Sequence, residues 1–375
     1  MKKIQMVDVV SQYQRYESEI NTNILSVLKS GTYIQGPEIK KFELLLSNYL
    51  NSKYTISCAN GTDALYLALM SLDLQPGDEV IVPSFTFVST VEAVCLLGLK
   101  PIFVDIEPDT FLLNPNLVKD VISQRTKVIL PVHLFGQCCD MVLIQEIANK
   151  YNLFIIEDAA QSIGSRCRVN RKSVIKKFSG TIGHIGITSF YPSKNLGCFG
   201  DGGAIFTQNQ ALAQKIRLLA NHGQKQKYTH DIIGLNSRLD ALQASILSFK
   251  LSLLDNFNTK RNEIADFYNE CFEGVSWIKT PTKRDFSEHV YHQYSIILSS
   301  KIDRKKLQSY LLKTGIPTMI YYPIPLHKQK AYRHYSNKPL PVSEKVAKQI
   351  ISLPIHPEME LEQMEFISKK IKNYI

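Results

Sequence analysis

Between about residue 54 and residue 207 the chain repeats one pattern, a short β-rich apolar run followed by a stretch that reads as helix or loop. The runs are KYTISCA, EVIVPSF, KPIFVDI, KVILPVHLF, LFIIEDA, ITSFY and GAIFT, with helix-like TDALYLALMSL and TVEAVCLLG between the early ones. Short runs that are apolar at consecutive positions are buried on both faces, and the segments between them serve as crossovers. A mostly parallel sheet covered by helices on both sides is the fold this dictates, an α/β domain. Residues 236–271 have apolar positions at helical spacing and no proline, so they read as one long helix or two consecutive ones, a bridge between domains. Beyond Gly274 come a short strand (HQYSIIL), a helix (RKKLQSYLLKTG), a proline-rich loop and a terminal helix near LEQMEFISKKIKNY. The expected division is a large α/β domain over 1–250, with an N-terminal helical segment, and a smaller α+β domain over 251–375.

Charge narrows the function classes. The net charge is +10, but the basic residues are spread over surface-like segments such as 171–177 and 301–306. Such runs are solvated faces first, so nucleic acid is not an expected partner, while a phosphate cofactor or a nucleotide diphosphate suits a basic protein. The most apolar stretch, Val80 to Val104, is broken by Pro83, Glu92, Lys100 and Pro101, so no membrane insertion is expected. The first residues lack the continuous apolar run of a signal peptide. Seven cysteines without a CxxC pair read as reduced thiols of a cytoplasmic protein, with no metal site.

Open parallel sheets place ligand groups at the carboxyl ends of their strands. Four such ends are chemically unusual. Cys58-Ala59-Asn60-Gly61-Thr62-Asp63 is a strand end, a glycine turn and a helix start, which suits a phosphate; a plain helix cap by Thr62 or Asp63 is the simpler alternative. Phe154-Ile155-Ile156-Glu157-Asp158 ends in two acids, able to hold a metal, a ribose or a heteroaromatic nitrogen, or to cap the next helix. Ser189-Phe190-Tyr191-Pro192-Ser193-Lys194-Asn195-Leu196-Gly197 sets a lysine in an apolar, glycine-flanked segment, where burial would favour the nucleophilic neutral amine. Lysine statistics alone would put it on an exposed turn. Pro83 to Thr90 brings two aromatics, Phe85 and Phe87, to a strand end, where either stacks on a planar ligand or fills the core.

Taken together and in order, these segments resemble the sugar-nucleotide aminotransferases of the DegT/DnrJ/EryC1/StrS family, from Tyr33-Ile34-Gln35-Gly36-Pro37-Glu38 to His356. The resemblance implies the type I (aspartate aminotransferase) fold of pyridoxal phosphate (PLP) enzymes, with a mostly parallel seven-stranded sheet between helices and a smaller C-terminal α+β domain. It implies that Lys194 forms the Schiff base with PLP and shuttles protons, that Asp158 pairs with the pyridine nitrogen, and that Gln161 approaches the ring hydroxyl. Phe87 would stack on the ring, and Gly61, Thr62 and Ser189 would hold the phosphate. Asn236, in Gly234-Leu235-Asn236-Ser237-Arg238-Leu239-Asp240, matches an asparagine that reaches the neighbouring subunit's phosphate, implying a homodimer with shared active sites. The implied reaction moves an amino group from glutamate to a keto carbon of a nucleotide sugar.

Asn-Ser-Arg at 236–238 and Tyr322-Pro323-Ile324-Pro325 resemble the branch that aminates C3. Within it, Pro192-Ser193-Lys194, the glycine-rich run 196–203 and Ser352-Leu353-Pro354-Ile355-His356-Pro357 look most like enzymes acting on UDP-2-acetamido-2-deoxy-3-oxo-glucuronate, whose products enter surface polysaccharides such as the O-antigen of lipopolysaccharide. Enzymes of dTDP-3-oxo-6-deoxyhexoses are the alternative; a C4-aminotransferase or a non-catalytic regulatory homologue lies further off. Arg238, Tyr321, Tyr322 and His327 are the candidate substrate contacts. A guanidinium fork suits a carboxylate, although a helix-surface ion pair with Asp240 or another acid would also occupy Arg238. Three positions depart from the pattern: Tyr321 and His184 replace a histidine and an acid, and Asn195 follows the lysine where the uronate enzymes have proline.

Overall fold

A computed structural model describes residues 2–171, 176–336 and 338–375, so 172–175 of the basic run 171–177 lie outside the described residues. The seven apolar runs form one sheet: β1 (Tyr54–Cys58), β2 (Glu79–Pro83), β3 (Lys100–Val104), β4 (Thr126–Ile129), β5 (Phe154–Asp158), β6 (Ile185–Ser189) and β7 (Gly203–Thr207), in the order β1-β7-β6-β5-β4-β2-β3. Strands β2, β3, β4, β5 and β6 pair in parallel, and β7 runs antiparallel to both β1 and β6. Antiparallel neighbours need no crossover helix. The chain turns from β6 into β7 through the lysine segment itself, and that places Lys194 at the carboxyl edge of the sheet.

Helices Gly61–Met70, Ser89–Leu96, Met141–Tyr151 and Gln210–Leu219 alternate with the strands. Every residue of β2 and β7 is buried, as a sheet covered on both faces requires. Its main apolar core gathers residues from Ile56 to Ile350, and a second, under helix Pro37–Leu50, joins Phe42, Leu46, Phe190 and Leu247.

The bridging segment is two helices, Ala241–Leu251 and Leu254–Phe272. The second starts in one core, at Leu254, and ends in another, with Ile264, Ala265 and Tyr268. That further core is roofed by a three-stranded antiparallel sheet, β8 (Ile278–Lys279), β9 (Tyr294–Leu298) and β10 (Ile350–Leu353), with helices Arg304–Lys313 and Leu361–Lys372 and with Ile4 from the chain's start. Among the described residues no helix is long and apolar enough to cross a membrane.

Candidate active site

The carboxyl ends of β1, β2, β5 and β6 open on one cavity of about 850 Å³. Gly61, Thr62, Phe87, Asp158, Gln161, Ser189, Lys194, Tyr321 and Tyr322 line it, whereas Asn236, Arg238 and His327 do not.

At the first strand end, Asn60 is the helix cap, not Thr62 or Asp63: its side chain accepts the Asp63 amide at 2.8 Å. The opening amides of a helix have no acceptor within it, so those of Gly61 and Thr62 become donors at the cavity rim. A Cβ on Gly61 would lie 2.7 Å from Cβ of Ser189, so only glycine lets this helix start sit against the end of β6. Thr62 Oγ1 and Ser89 Oγ stand 2.7 Å apart, which orients the threonine hydroxyl. Two strand ends thus bring amides and hydroxyls together into an anion seat.

The two acids ending β5 take different tasks because side chains alternate along a strand. Glu157 is fully buried and accepts the amides of Ile182 (2.6 Å), Gly183 (2.5 Å) and Gly180 (3.0 Å), with His133 Nε2 at 2.9 Å. The Cys139 amide donates to Nδ1 of that histidine, so its proton lies on Nε2, facing Glu157. Asp158 turns to the cavity, its Oδ1 accepting the Ala160 amide at 3.1 Å and its Oδ2 the Thr90 hydroxyl at 3.2 Å. Burial pushes its carboxyl up, against the Ala160 amide, the Lys194 charge and the Thr90 hydroxyl.

The side-chain amine of Lys194 makes no hydrogen bond or ion pair with any described residue, and burial brings it down to about 8 against the opposing pull of Asp158. Its loop is fastened from several sides. The Lys194 amide donates to Tyr191 O (2.8 Å), Cys198 to Phe190 O (2.7 Å) and Phe190 to Gly202 O (2.8 Å). Lys250, buried and with no acid paired to it among the described residues, donates Nζ to Gly197 O at 2.5 Å. Asn195 donates its amide hydrogens to Asn258 Oδ1 (2.8 Å) and Val290 O (2.9 Å), which gives the departure from proline a physical reason, since proline has no such donors.

Of the two aromatics after β2, Phe85 is 1% exposed and belongs to the core, while Phe87 is 53% exposed and lines the cavity. Tyr322 lies against both, with ring centroids 6.0 and 6.1 Å away. Gln161 donates Nε2 to the Tyr322 hydroxyl at 3.2 Å and accepts the Phe135 amide at 2.8 Å, so its orientation is set from both ends. His327 is placed elsewhere: it is buried 6.3 Å from the Phe103 ring with Nε2 3.2 Å from Glu344, a packing position behind the wall and not a contact surface. His184 is equally remote; its Nδ1 accepts the Ile155 amide at 3.0 Å, at the opposite end of the sheet.

Around Asn236 the chain is extended, and exposure alternates. Ser237 is buried and accepts the Ala59 amide at 3.2 Å, while Asn236 and Arg238 turn outward. Arg238 precedes the helix at Ala241 and bonds Asn221 Oδ1 at 3.2 Å instead of an acid, leaving most of its donors free. Thr90, Ser89, His292 and Gln293 are cavity residues that the strand-end reading passed over. Thr90 and Ser89 stood in a segment read for its aromatics. His292 and Gln293 precede β9 in another sheet, so a search of carboxyl ends could not reach them.

The cavity therefore combines an anion seat, a partner-free lysine with a lowered basicity, a buried carboxylate and an aromatic face. The chain as a whole is similar to known proteins. The DegT/DnrJ/EryC1/StrS aminotransferase family matches residues 14–372. The UDP-2-acetamido-2-deoxy-3-oxo-D-glucuronate aminotransferase of Pseudomonas aeruginosa is 44% identical over 370 residues, 99% of this chain and 100% of its own. The dTDP-3-amino-3,6-dideoxy-alpha-D-galactopyranose transaminase of Aneurinibacillus thermoaerophilus is 42% identical over 371 residues, 99% of each chain. The crystal structure of S. venezuelae DesV in complex with a ketimine intermediate superposes with a TM-score of 0.94 at 37% identity, covering 100% of this chain and 99% of that one. With likeness running through nearly the whole chain and the reactive groups converging in one cavity, this protein belongs to the DegT/DnrJ/EryC1/StrS aminotransferase family.

Proposed function

We propose that this enzyme moves the amino group of glutamate to C3 of a nucleotide-linked 3-oxo sugar, UDP-2-acetamido-2-deoxy-3-oxo-glucuronate, with Lys194 as the reacting amine. The observation that carries the reading is the convergence of partner-free Lys194, buried Asp158 and the Gly61–Thr62–Ser189 seat in one cavity. Similarity to the Pseudomonas enzyme supports the sugar.

Pyridoxal phosphate, the cofactor of this family, fits the residues present: the Gly61 cradle has no room for a side chain, and its donors suit a phosphate. The cofactor supplies an electrophilic aldehyde and an electron-withdrawing ring. Gly61 and Thr62 amides with the Thr62 and Ser189 hydroxyls would hold its phosphate, Phe87 would face the ring, Gln161 its hydroxyl and Asp158 its nitrogen. Lys194 Nζ, neutral in a fair share of molecules near pH 8, takes the proton from the donor's Cα and returns one at C3 of the acceptor.

The reading also includes a homodimer. Asn236 and Arg238 face away from their own cavity beside a surface with exposed Tyr33, Ile34, Tyr228 and Ile233. A second copy covering that surface brings Asn236 to the neighbouring phosphate and Arg238 to a carboxylate, while Tyr321 and Tyr322 bound the sugar from within the chain. Seven unpaired cysteines are in keeping with a reducing cytoplasm.

The test is incubation with PLP, glutamate and a panel of UDP- and dTDP-linked 3-oxo and 4-oxo sugars, identifying products by mass and NMR. Amination at C3 of the UDP-linked uronate is expected. Turnover of a dTDP-3-oxo-6-deoxyhexose with none of the uronate would overturn the substrate reading.

A further inference from the structure

His292 lines the cavity yet is only 4% exposed, and its two ring nitrogens stand in different surroundings. Nδ1 is 3.3 Å from Asn195 Oδ1. Both amide hydrogens of Asn195 are committed, to Asn258 Oδ1 and Val290 O, and Asn258 is itself fixed by donating to Ile163 O at 3.3 Å. Asn195 Oδ1 therefore has to accept, and Nδ1 of His292 carries the ring's proton. Nε2 is left as a lone-pair acceptor and makes no hydrogen bond with any described residue. The charged groups around the ring keep it in this state: burial, then Lys194, then Arg261 hold the imidazole well below its usual range. Arg261 is buried, has no acid paired to it among the described residues, and donates to the carbonyls of Tyr291 (3.1 Å), His292 (3.4 Å) and Ile355 (2.9 Å), so it also fixes the backbone that carries the histidine.

We infer that His292 is a positioning residue for Lys194: Asn195, the lysine's own neighbour, sets the tautomer, and Nε2 receives a hydrogen bond from the Lys194 amine once that amine is released. Because the ring stays neutral, it orients the amine without competing for its proton. Asp158 and His292 line the same cavity as the amine. The inference rests on Lys194 being the reacting amine.

In protein loaded with pyridoxamine phosphate Lys194 is free, so its acetylation by acetic anhydride can be followed from pH 6 to 10 by peptide mass spectrometry. Wild type should show a midpoint near 8. In His292→Phe, which lacks the acceptor that favours the ammonium, the midpoint should fall by about one pH unit, with roughly fivefold faster labelling at pH 7. His292→Gln, which keeps an acceptor, should stay with wild type; His292→Met replaces the Phe variant should that one not fold. Identical midpoints in all proteins, or equal shifts with Gln and Phe, would overturn the inference. Loading wild type with PLP should protect Lys194, and labelling that persists would instead sink the reading of Lys194 itself.

Discussion

The sheet-end cradle and the extended segment around Asn236, which the proposed dimer would join into one site, are built in opposite ways. In the cradle each candidate group is fixed by its own chain: Asn60 caps the helix that opens at Gly61, Thr90 holds Asp158, and Lys250 and Asn195 fasten the lysine loop. Outside it, Asn236 and Arg238 are outward-facing, with Asn221 the side-chain partner of Arg238, and nearby Tyr228 and Ile233 are 81% and 90% exposed. On the proposed reading, the difference separates groups that would do chemistry, which must be preorganised, from groups that a second subunit would use.

The largest expected effect divides these regions between two subunits. Lys194→Ala should lower turnover by at least about 10⁴-fold, because no other amine in the cavity replaces the nucleophile. Asn236→Ala should weaken phosphate binding by about 2 kcal/mol while leaving Lys194 untouched. In a dissociated and reassociated equal mixture, half of the dimers are mixed and each restores one complete site, so about a quarter of the sites should recover full activity at limiting PLP. Recovery measured by glutamate-dependent turnover supports a crossed interface; none at all, with mixed dimers shown by native mass spectrometry, breaks the comparison.

A smaller effect contrasts stability. Glu157 is buried under four donors, so Glu157→Gln places an amide N–H₂ among N–H groups and should cost about 2–3 kcal/mol. Arg238→Ala, on a partly exposed surface, should change stability by less than about 0.5 kcal/mol. Urea unfolding with unchanged slope reads both. Equal losses would mean that the outer segment is as firmly built as the cradle.

How much of this was readable in the sequence follows from the same division. All seven apolar runs are strands, because burial on both faces leaves a signal that depends on each run alone. Gly61, Asp158 and Lys194 were visible for a related reason: each ends or closely follows such a run. The local pattern could not separate Phe85 from Phe87, since the turn after β2 sends one ring to the core and the other to the cavity, and only the resemblance singled out Phe87. His292 and Lys250 reach the site from segments nearly 100 and more than 50 positions beyond the lysine they support, and no local pattern marks such contacts. His327 shows the reverse: a polar residue in a site-forming loop that the structure turns behind the wall toward Glu344.

The smallest effect tests how finely the cradle is adjusted. The Thr90 hydroxyl is one of the groups that hold the Asp158 carboxylate charged against the burial that pushes it up. Thr90→Val keeps the shape and removes the donor, so the carboxyl should rise further and the acid limb of kcat/KM should move to higher pH. One hydrogen bond to a charged group is worth about 1.5 kcal/mol, so the displacement should be about one pH unit. Thr90→Ser, which keeps the hydroxyl, should leave the limb in place. Because only the proton on Asp158 is at issue, the two variants should converge with wild type above the limb. A loss in the valine variant that is the same at every pH would assign Thr90 to packing, and Asp158 would then be tuned by the Ala160 amide, Lys194 and His133.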